Sequence, residues 1–245
     1  MSIRVIHWNE ASLDDVLLFH HLPKTAGTAV SSALEGLYGA EYYKWFHGPA
    51  GALKTLADGH SLRALGGHFH LSHPTVNRID VRVIMITLLR DPIDRVISNF
   101  YYLRANEKHH LYELANAYSL EEALRKGLSK KLQIDNEIVR MLSTVDPKDS
   151  LGAAFRSAKE TVKSYTFFGL QKQTRMLELL IKRVFNIEEF KIPVMITNTG
   201  RPKKTEVDPD LIALIKKYNQ YDVELYDFAE EIYNNKLEKE WRLKH

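Results

Sequence analysis

The chain has no cysteine among its 245 residues, which excludes disulfides and thiolate metal sites and points to a reducing compartment. No apolar run approaches the roughly 20 residues that a membrane-spanning helix needs. The opening segment, MSIRVIHWNEASLDD, carries acidic residues where a signal peptide would be apolar. Charge of one sign is scarce as well: 34 Lys and Arg stand against 31 Asp and Glu, a formal net charge of +3. That small excess suits an anionic small ligand and falls short of the clustered basic stripe of a nucleic-acid binder. Repeats, low-complexity tracts and Pro/Gly/Ser linkers are absent too, so residues 1–245 are expected to form one domain with a sizeable core. The expectation is a cytoplasmic protein with no membrane span and no nucleic-acid partner; its oligomeric state is left open.

What is present is an alternation of buried strands and amphipathic helices. Val16 to His20 reads as a short buried strand that enters a turn at Leu22-Pro23. Helical spacing begins near Thr28, with Val30, Ala33, Leu34 and Leu37 on one face. Strand, turn, helix is the start of a βαβ unit. A second strand, VRVIMITLL, covers Val81 to Leu89 and is rich in β-branched residues. After it, Asp91 is placed to cap a helix and Pro92 suits its first position. Ser119 with Glu122 resembles a capping box. Helices are predicted over Asp135 to Leu142 and Leu151 to Val162. A strand over Tyr165 to Leu170 leads into a helix from Gln171 to Phe185. A short strand is read at Pro193 to Thr197, then a polar loop, a helix from Asp208-Pro209 and a last one past Tyr221. The fold class is α/β, a three-layer sandwich with a mainly parallel sheet and a helical C-terminal half.

Two segments carry chemistry. Pro23-Lys24-Thr25-Ala26-Gly27-Thr28 lies between a strand and a helix start, where unpaired N–H groups and a partial positive charge suit a phosphate. Lys24 adds a full charge, Gly27 permits close backbone approach, and the Thr25 and Thr28 hydroxyls can donate. Lys24 precedes Gly27, so this is not the GxxxxGK[ST] order of a P-loop. The bland alternative is an ordinary turn in which Thr28 merely caps the helix. The other segment is TLLRDPIDRVISNFYYL, Thr87 to Leu103. Its Arg90 stands at a strand end, the edge where open α/β sheets bind ligands, and Ser98 follows eight residues on. A second phosphate could be held there. The competing reading is a capped helix whose Arg90 and Arg95 pair with Asp91 or Asp94 on the surface.

Together the two segments resemble the PAPS-dependent sulfotransferases, where PAPS is 3′-phosphoadenosine 5′-phosphosulfate. HHLPKTAGTAV, from His20 to Val30, is similar to the family's 5′-phosphosulfate loop, and the Arg90 segment to its 3′-phosphate element. The branch it most resembles contains the heparan sulfate 2-O- and 6-O-sulfotransferases and their bacterial relatives. Gly67-His68 is similar to a Gly-His of the 2-O branch, DNEIVRML from Asp135 to Leu142 to a segment of the 6-O branch, and YTFFGL to the strand before a long helix. The resemblance implies the fold of the P-loop nucleotide kinases. Ala26 stands where many relatives have glycine, so a backbone conformation open to alanine is expected there.

The resemblance also implies roles. Lys24, with the N–H groups of Thr25, Ala26, Gly27, Thr28 and Ala29, would bind the 5′ end of PAPS and stabilise the leaving oxygen. Arg90 and Ser98 would take the 3′-phosphate, and Arg201, Lys203 and Lys204 would either close over it or form an ordinary basic surface loop. Products would be PAP and a sulfated hydroxyl acceptor, with no metal required. A histidine of GGHFHLSH suits the base. His68 is favoured, His70 competes because in a strand it would face the same way, and His73 is a third possibility. His20 and His21 are read as packing residues. Asn136 and Arg140, four apart, could share a helix face towards the acceptor or cofactor, the alternative being a solvated face, and His70 is a further candidate for binding the acceptor. The rival functions are a small-molecule or nucleotide kinase with ATP and magnesium, and a non-catalytic module binding nucleotides or anionic glycans.

Overall fold

The computed structural model describes residues 3–46, 48, 51, 62–74, 76, 81–195 and 200–239. Six strands form one parallel sheet: β1 (Arg4–Val5), β2 (Leu17–His20), β3 (Tyr43–Phe46), β4 (Ala64–Gly67), β5 (Arg82–Leu89) and β6 (Phe167–Leu170). From one edge the order is β3, β4, β2, β5. Beyond β5 its first residues pair with β1 and its last four with β6. All of β5 after Arg82 is buried, as a continuous apolar run at the centre of a parallel sheet should be.

Because every pairing is parallel, the C-terminal ends of β2, β4 and β5 fall on the same edge of the sheet. His20 is in register with Gly67, and Phe19 with Ile86, so the chain leaves the three strands side by side. That edge receives the turn after His20, His68 after β4 and Arg90 after β5.

The helices of the described residues flank this sheet. They are α1 (Gly27–Tyr38), α2 (Pro92–Ala105), α3 (Tyr112–Ala117), α4 (Leu120–Arg125), α5 (Glu137–Leu142), α6 (Leu151–Ser164), α7 (Thr174–Val184), α8 (Pro209–Tyr218) and α9 (Gln220–Lys239). The main apolar core joins the sheet to α5, α6, α7 and α9. A second cluster, around Val96, Phe100, Leu124 and Ile215, joins α2 to α3, α4 and α8. Asp91 caps α2 through a bond from the Asp94 N–H, with Pro92 in the first turn, and Ser119 with Glu122 forms the capping box of α4. No helix of the described residues is long and apolar enough to cross a membrane.

The strand expected from Pro193 to Thr197 is not formed over its described part. Residues 193–195 have no regular structure and Val194 is 92% exposed; Ile196 and Thr197 lie outside the described residues. Conversely, β3 and β4 are strands with little local signal. β4 is ALGG, and its glycines answer to neighbours: a Cβ on Gly67 would come within 2.4 Å of the Phe46 carbonyl oxygen.

Candidate functional site

The turn after β2 bends sharply. Lys24 and Ala26 are both left-handed, each at φ 65°. Such a turn points successive N–H groups to one side and makes a concave anion cradle. Among the described residues, the N–H groups of Thr25, Ala26, Gly27 and Thr28 donate to no backbone carbonyl. Helix α1 starts at Gly27, and its N-cap residue is Ala26, which supplies no side-chain cap. Thr28 is therefore inside the first turn and does not cap it. The Thr25 hydroxyl is buried and donates to the Leu22 carbonyl at 2.8 Å, so its backbone N–H is what remains to offer. The alanine at 26 sits in a conformation that favours glycine, contrary to the sequence expectation.

Gly27 has a different reason. A Cβ there would lie 1.7 Å from Nε2 of His21. The His21 ring packs against the start of α1 with both nitrogens unpartnered among the described residues. Burial, then the nearby His68, His20 and Lys24, push its pKa well below the ordinary value, so the ring is neutral. His20 is fully buried and held in place by the Tyr165 hydroxyl and the Phe69 carbonyl, both at 2.7 Å, with its pKa pushed down to about 3 by burial.

Four cations gather beside the turn. Arg90, 9% exposed, donates through Nη1 to the Lys24 carbonyl at 2.7 Å and through Nε and Nη2 to Asp94. Arg201 donates to the same Asp94 carboxylate at 2.6 Å, and Lys204 pairs with Asp91 at 2.8 Å. The Lys24 ammonium lies 3.8 Å from the centroid of the Tyr102 ring. Burial, then the charges of Arg90 and Arg201, lower the Lys24 pKa to about 8. Ser98 is buried on α2, one turn before Tyr102. Lys203 is exposed, and its backbone N–H is what engages Glu206.

His68 is half-buried just past β4. Its Nδ1–H donates to the His21 carbonyl at 2.9 Å, which leaves the lone pair of the neutral ring on Nε2. The ring lies tilted by 33° against His21, centroids 4.2 Å apart, and Trp45 meets it edge-on at 5.4 Å. His70 does not share this environment, because the strand ends at Gly67 and residues 68–70 lie outside it. It is exposed, donates through Nδ1 to the Arg140 carbonyl at 3.1 Å, and lies 4.0 Å from Glu137. His73 is exposed.

Asn136 and Arg140 do not share a helix face. Asn136 is left-handed (φ 46°) and precedes α5. Its amide donates to Asp135 and the Tyr218 carbonyl and accepts from the N–H groups of Tyr221 and Asp222. All four of its hydrogen-bonding positions serve the fold. Arg140 is buried against Asp135. Arg95, which the competing reading put at the surface, is fully buried; it donates twice to the Gln133 carbonyl at 3.1 Å and faces Asp222 and Glu137. Burial drives the Glu137 pKa up to about 7. Sequence reasoning passed over Tyr102 and Glu137, and gave Asp94 only as a surface ion-pair partner of an arginine. For Tyr102 a signal existed, since it stands four residues after Ser98 on the same helix.

The model of the sulfotransferase family matches residues 11–229. Among curated proteins, the chain is 30% identical over 181 residues to heparan-sulfate 6-O-sulfotransferase 1 of Gallus gallus, covering 62% of this chain and 44% of that protein. The Homo sapiens protein of the same name is 28% identical over 181 residues, with the same coverage, 62% and 44%. The chain thus spans less than half the length of these relatives. Among solved structures, a sulfotransferase from Alicyclobacillus acidocaldarius matches with a TM-score of 0.47 and 14% identity, over 89% of this chain and 96% of that one. A mouse sulfotransferase complexed with PAP matches at 0.45 and 16%, over 87% of this chain and 67% of that one.

Proposed function

The chain belongs to the sulfotransferase family, and from that premise we propose that it moves a sulfuryl group from PAPS to an acceptor hydroxyl, with His68 as the base. The observation that carries this reading is the common strand edge. It puts an uncapped turn with open N–H groups, the Lys24–Arg90–Arg201 cluster and a histidine of defined tautomer beside one another. Two anion sites and one proton acceptor are what a bis-phosphorylated sulfuryl donor and a hydroxyl require.

In the step, the acceptor oxygen forms a bond to sulfur while the bond from sulfur to the 5′-phosphate oxygen breaks. The electron pair stays on that phosphate oxygen, and the acceptor proton passes to Nε2 of His68. Lys24 and the N–H groups of Thr25 to Thr28 stabilise the charge gained by the leaving oxygen. Arg90 and Ser98, with Arg201 and Lys204 nearby, hold the 3′-phosphate so that donor and acceptor stay in line. Tautomer and ring plane of His68 are set before substrate arrives, by the His21 carbonyl and ring.

The test combines binding with turnover. At about 100 times its Kd, PAP should stabilise the chain by roughly 2.7 kcal/mol, a Tm rise of about 5–10 °C, with little effect from ATP and magnesium. His68→Ala should keep that rise and lower the formation of PAP from PAPS by about 10²–10⁴-fold. A rise with ATP and magnesium instead of PAP would refute the donor. Unimpaired turnover in His68→Ala would refute the base.

A further inference from the structure

Arg90 leaves the end of β5, whereas Arg201 arrives from far along the chain, and no local sequence joins them. What joins them is Asp94. Its carboxylate accepts from Nε and Nη2 of Arg90 and from Nη1 of Arg201 at 2.6 Å, with Nη2 of Arg201 at 3.4 Å. Three residues earlier, at the N-cap of α2, Asp91 takes Lys204 at 2.8 Å. Residues 201–204 are thus fastened to the start of α2 at two points. Burial opposes ionisation of Asp94, but the Arg201 hydrogen bond and the Arg90 charge outweigh it and hold the carboxyl below its ordinary range.

In Coulomb terms a carboxylate is a poor thing to keep in an anion site, because it offsets one of the cations meant to attract a phosphate. It can still be worth having if it supplies geometry. Two guanidiniums brought together without a counter-ion repel each other, and long side chains lose rotamer entropy when fixed. Each guanidinium has five N–H groups. Arg90 spends three, on Asp94 and the Lys24 carbonyl, which leaves two for a ligand.

We propose that Asp94 is a positioning residue that holds Arg90 and Arg201 as a pair for the 3′-phosphate, and so sets the preference for a 3′-phosphorylated nucleotide over its 3′-hydroxyl counterpart. The inference rests on the PAPS reading above. It differs in sign from a bystander role. If Asp94 is only an adverse charge, Asp94→Asn strengthens PAP binding. If it positions the arginines, the same change weakens PAP binding, since a neutral amide with one acceptor oxygen cannot hold two guanidiniums.

The experiment is calorimetric titration of the whole chain with PAP and with AMP, for wild type, Asp94→Asn and Arg201→Ala. Wild type should prefer PAP by at least about 10²-fold, from charge-assisted bonds to the 3′-phosphate. Asp94→Asn should lower that preference about tenfold while AMP affinity barely moves, and Arg201→Ala, the other side of the same contact, should lower it similarly. A fold defect would instead weaken both nucleotides alike. An unchanged or larger preference in Asp94→Asn, or equal loss for both nucleotides, overturns the inference. Absence of any PAP preference in wild type overturns the donor assignment and the inference with it, so the two failures are distinct. Should Asp94→Asn not fold, an unchanged preference in Arg201→Ala overturns the pairing on its own.

Discussion

Two regions of the molecule use the same parts to opposite ends. Where α5 meets α9, the helix starts are closed by buried side chains from across the fold. Asp222 accepts from the N–H groups of Ile138 and Val139, at 3.1 and 2.8 Å, and Asn136 accepts from Tyr221 and Asp222 in return. Asn219 completes the exchange by binding Asn136 N–H and the Ile134 carbonyl. At the start of α1 no side chain plays that part. The N–H groups of Thr25, Ala26, Gly27 and Thr28 donate to no backbone carbonyl among the described residues, and Arg90 stands beside them, bonded to the Lys24 carbonyl. A helix start whose donors are satisfied by the protein adds stability; one whose donors are left open has them available to an anion. The contrast separates site from scaffold better than residue type does, since both regions contain arginine, aspartate and a helix N-terminus.

The largest effect should come from opening the closed region. Asp222→Ala removes the cap of α5 and takes from the fully buried Arg95 the carboxylate that most favours its charge, leaving Glu137 alone to oppose it. Stranding a buried charge costs about 3–5 kcal/mol. Urea denaturation should show a loss of that size, while PAP affinity of the folded protein stays as in wild type. A loss confined to PAP binding, with stability intact, would mean that this junction belongs to the site and that the contrast is drawn in the wrong place.

A smaller effect concerns His21, which lies under the open turn and whose ring nitrogens have no hydrogen-bond partner among the described residues. Its pKa in the fold is depressed, so the unfolded chain takes up a proton first as the pH falls. The stability due to the neutral buried ring is therefore complete above the unfolded value of about 6.5 and is lost on acidification below it. One proton corresponds to about 1.4 kcal/mol per pH unit. His20 titrates in the same direction, and Glu137, with its raised pKa, in the opposite one, so only a difference isolates His21. Urea midpoints at pH 7, 6 and 5 should fall less steeply in His21→Phe than in wild type. Parallel slopes would mean that His21 is protonated in the fold, and that it is a ligand-facing group and not packing for Gly27 and His68.

The closed region was the harder one to read from sequence. β2, β5, the turn between β2 and α1, and the Asp91-Pro92 start of α2 are all local patterns, and the structure has them within a residue or two. Asn136 and Arg140 stand four apart in a helix-like run, which suggests a shared face. The left-handed backbone at Asn136 breaks that geometry, and its partners Tyr218 to Asp222 lie more than eighty residues away. Arg90 is instructive in another way. The bland reading, an ion pair with Asp94, and the functional one, a cation at the strand edge, are both present in the structure, because Asp94 also receives Arg201. No spacing rule could foresee a partner 107 positions away. β3 and β4 were missed because β4 is half glycine and is shaped by what packs on it.

The smallest effect sharpens the open side. Ala26 holds φ 65° as the N-cap of α1, and its methyl is exposed, so it contributes no burial that a substitution could lose. An L-residue in the left-handed region carries roughly 1–2 kcal/mol of steric strain. Glycine removes that strain but enters the unfolded ensemble with more conformational freedom, worth about 0.5–1 kcal/mol against it. The balance for Ala26→Gly is a gain of about 0.5–1 kcal/mol, read as a higher urea midpoint at unchanged m-value. The same substitution bears on function in the other direction. If the turn works as a pre-shaped cradle, a looser residue at its centre must be ordered when PAP binds, so PAP affinity should fall slightly as stability rises. Opposite signs in the two measurements would mark the turn as strained for the sake of its ligand. A loss of stability in Ala26→Gly would show that the left-handed turn is relaxed with alanine in place, and the strain argument for this helix start would fail.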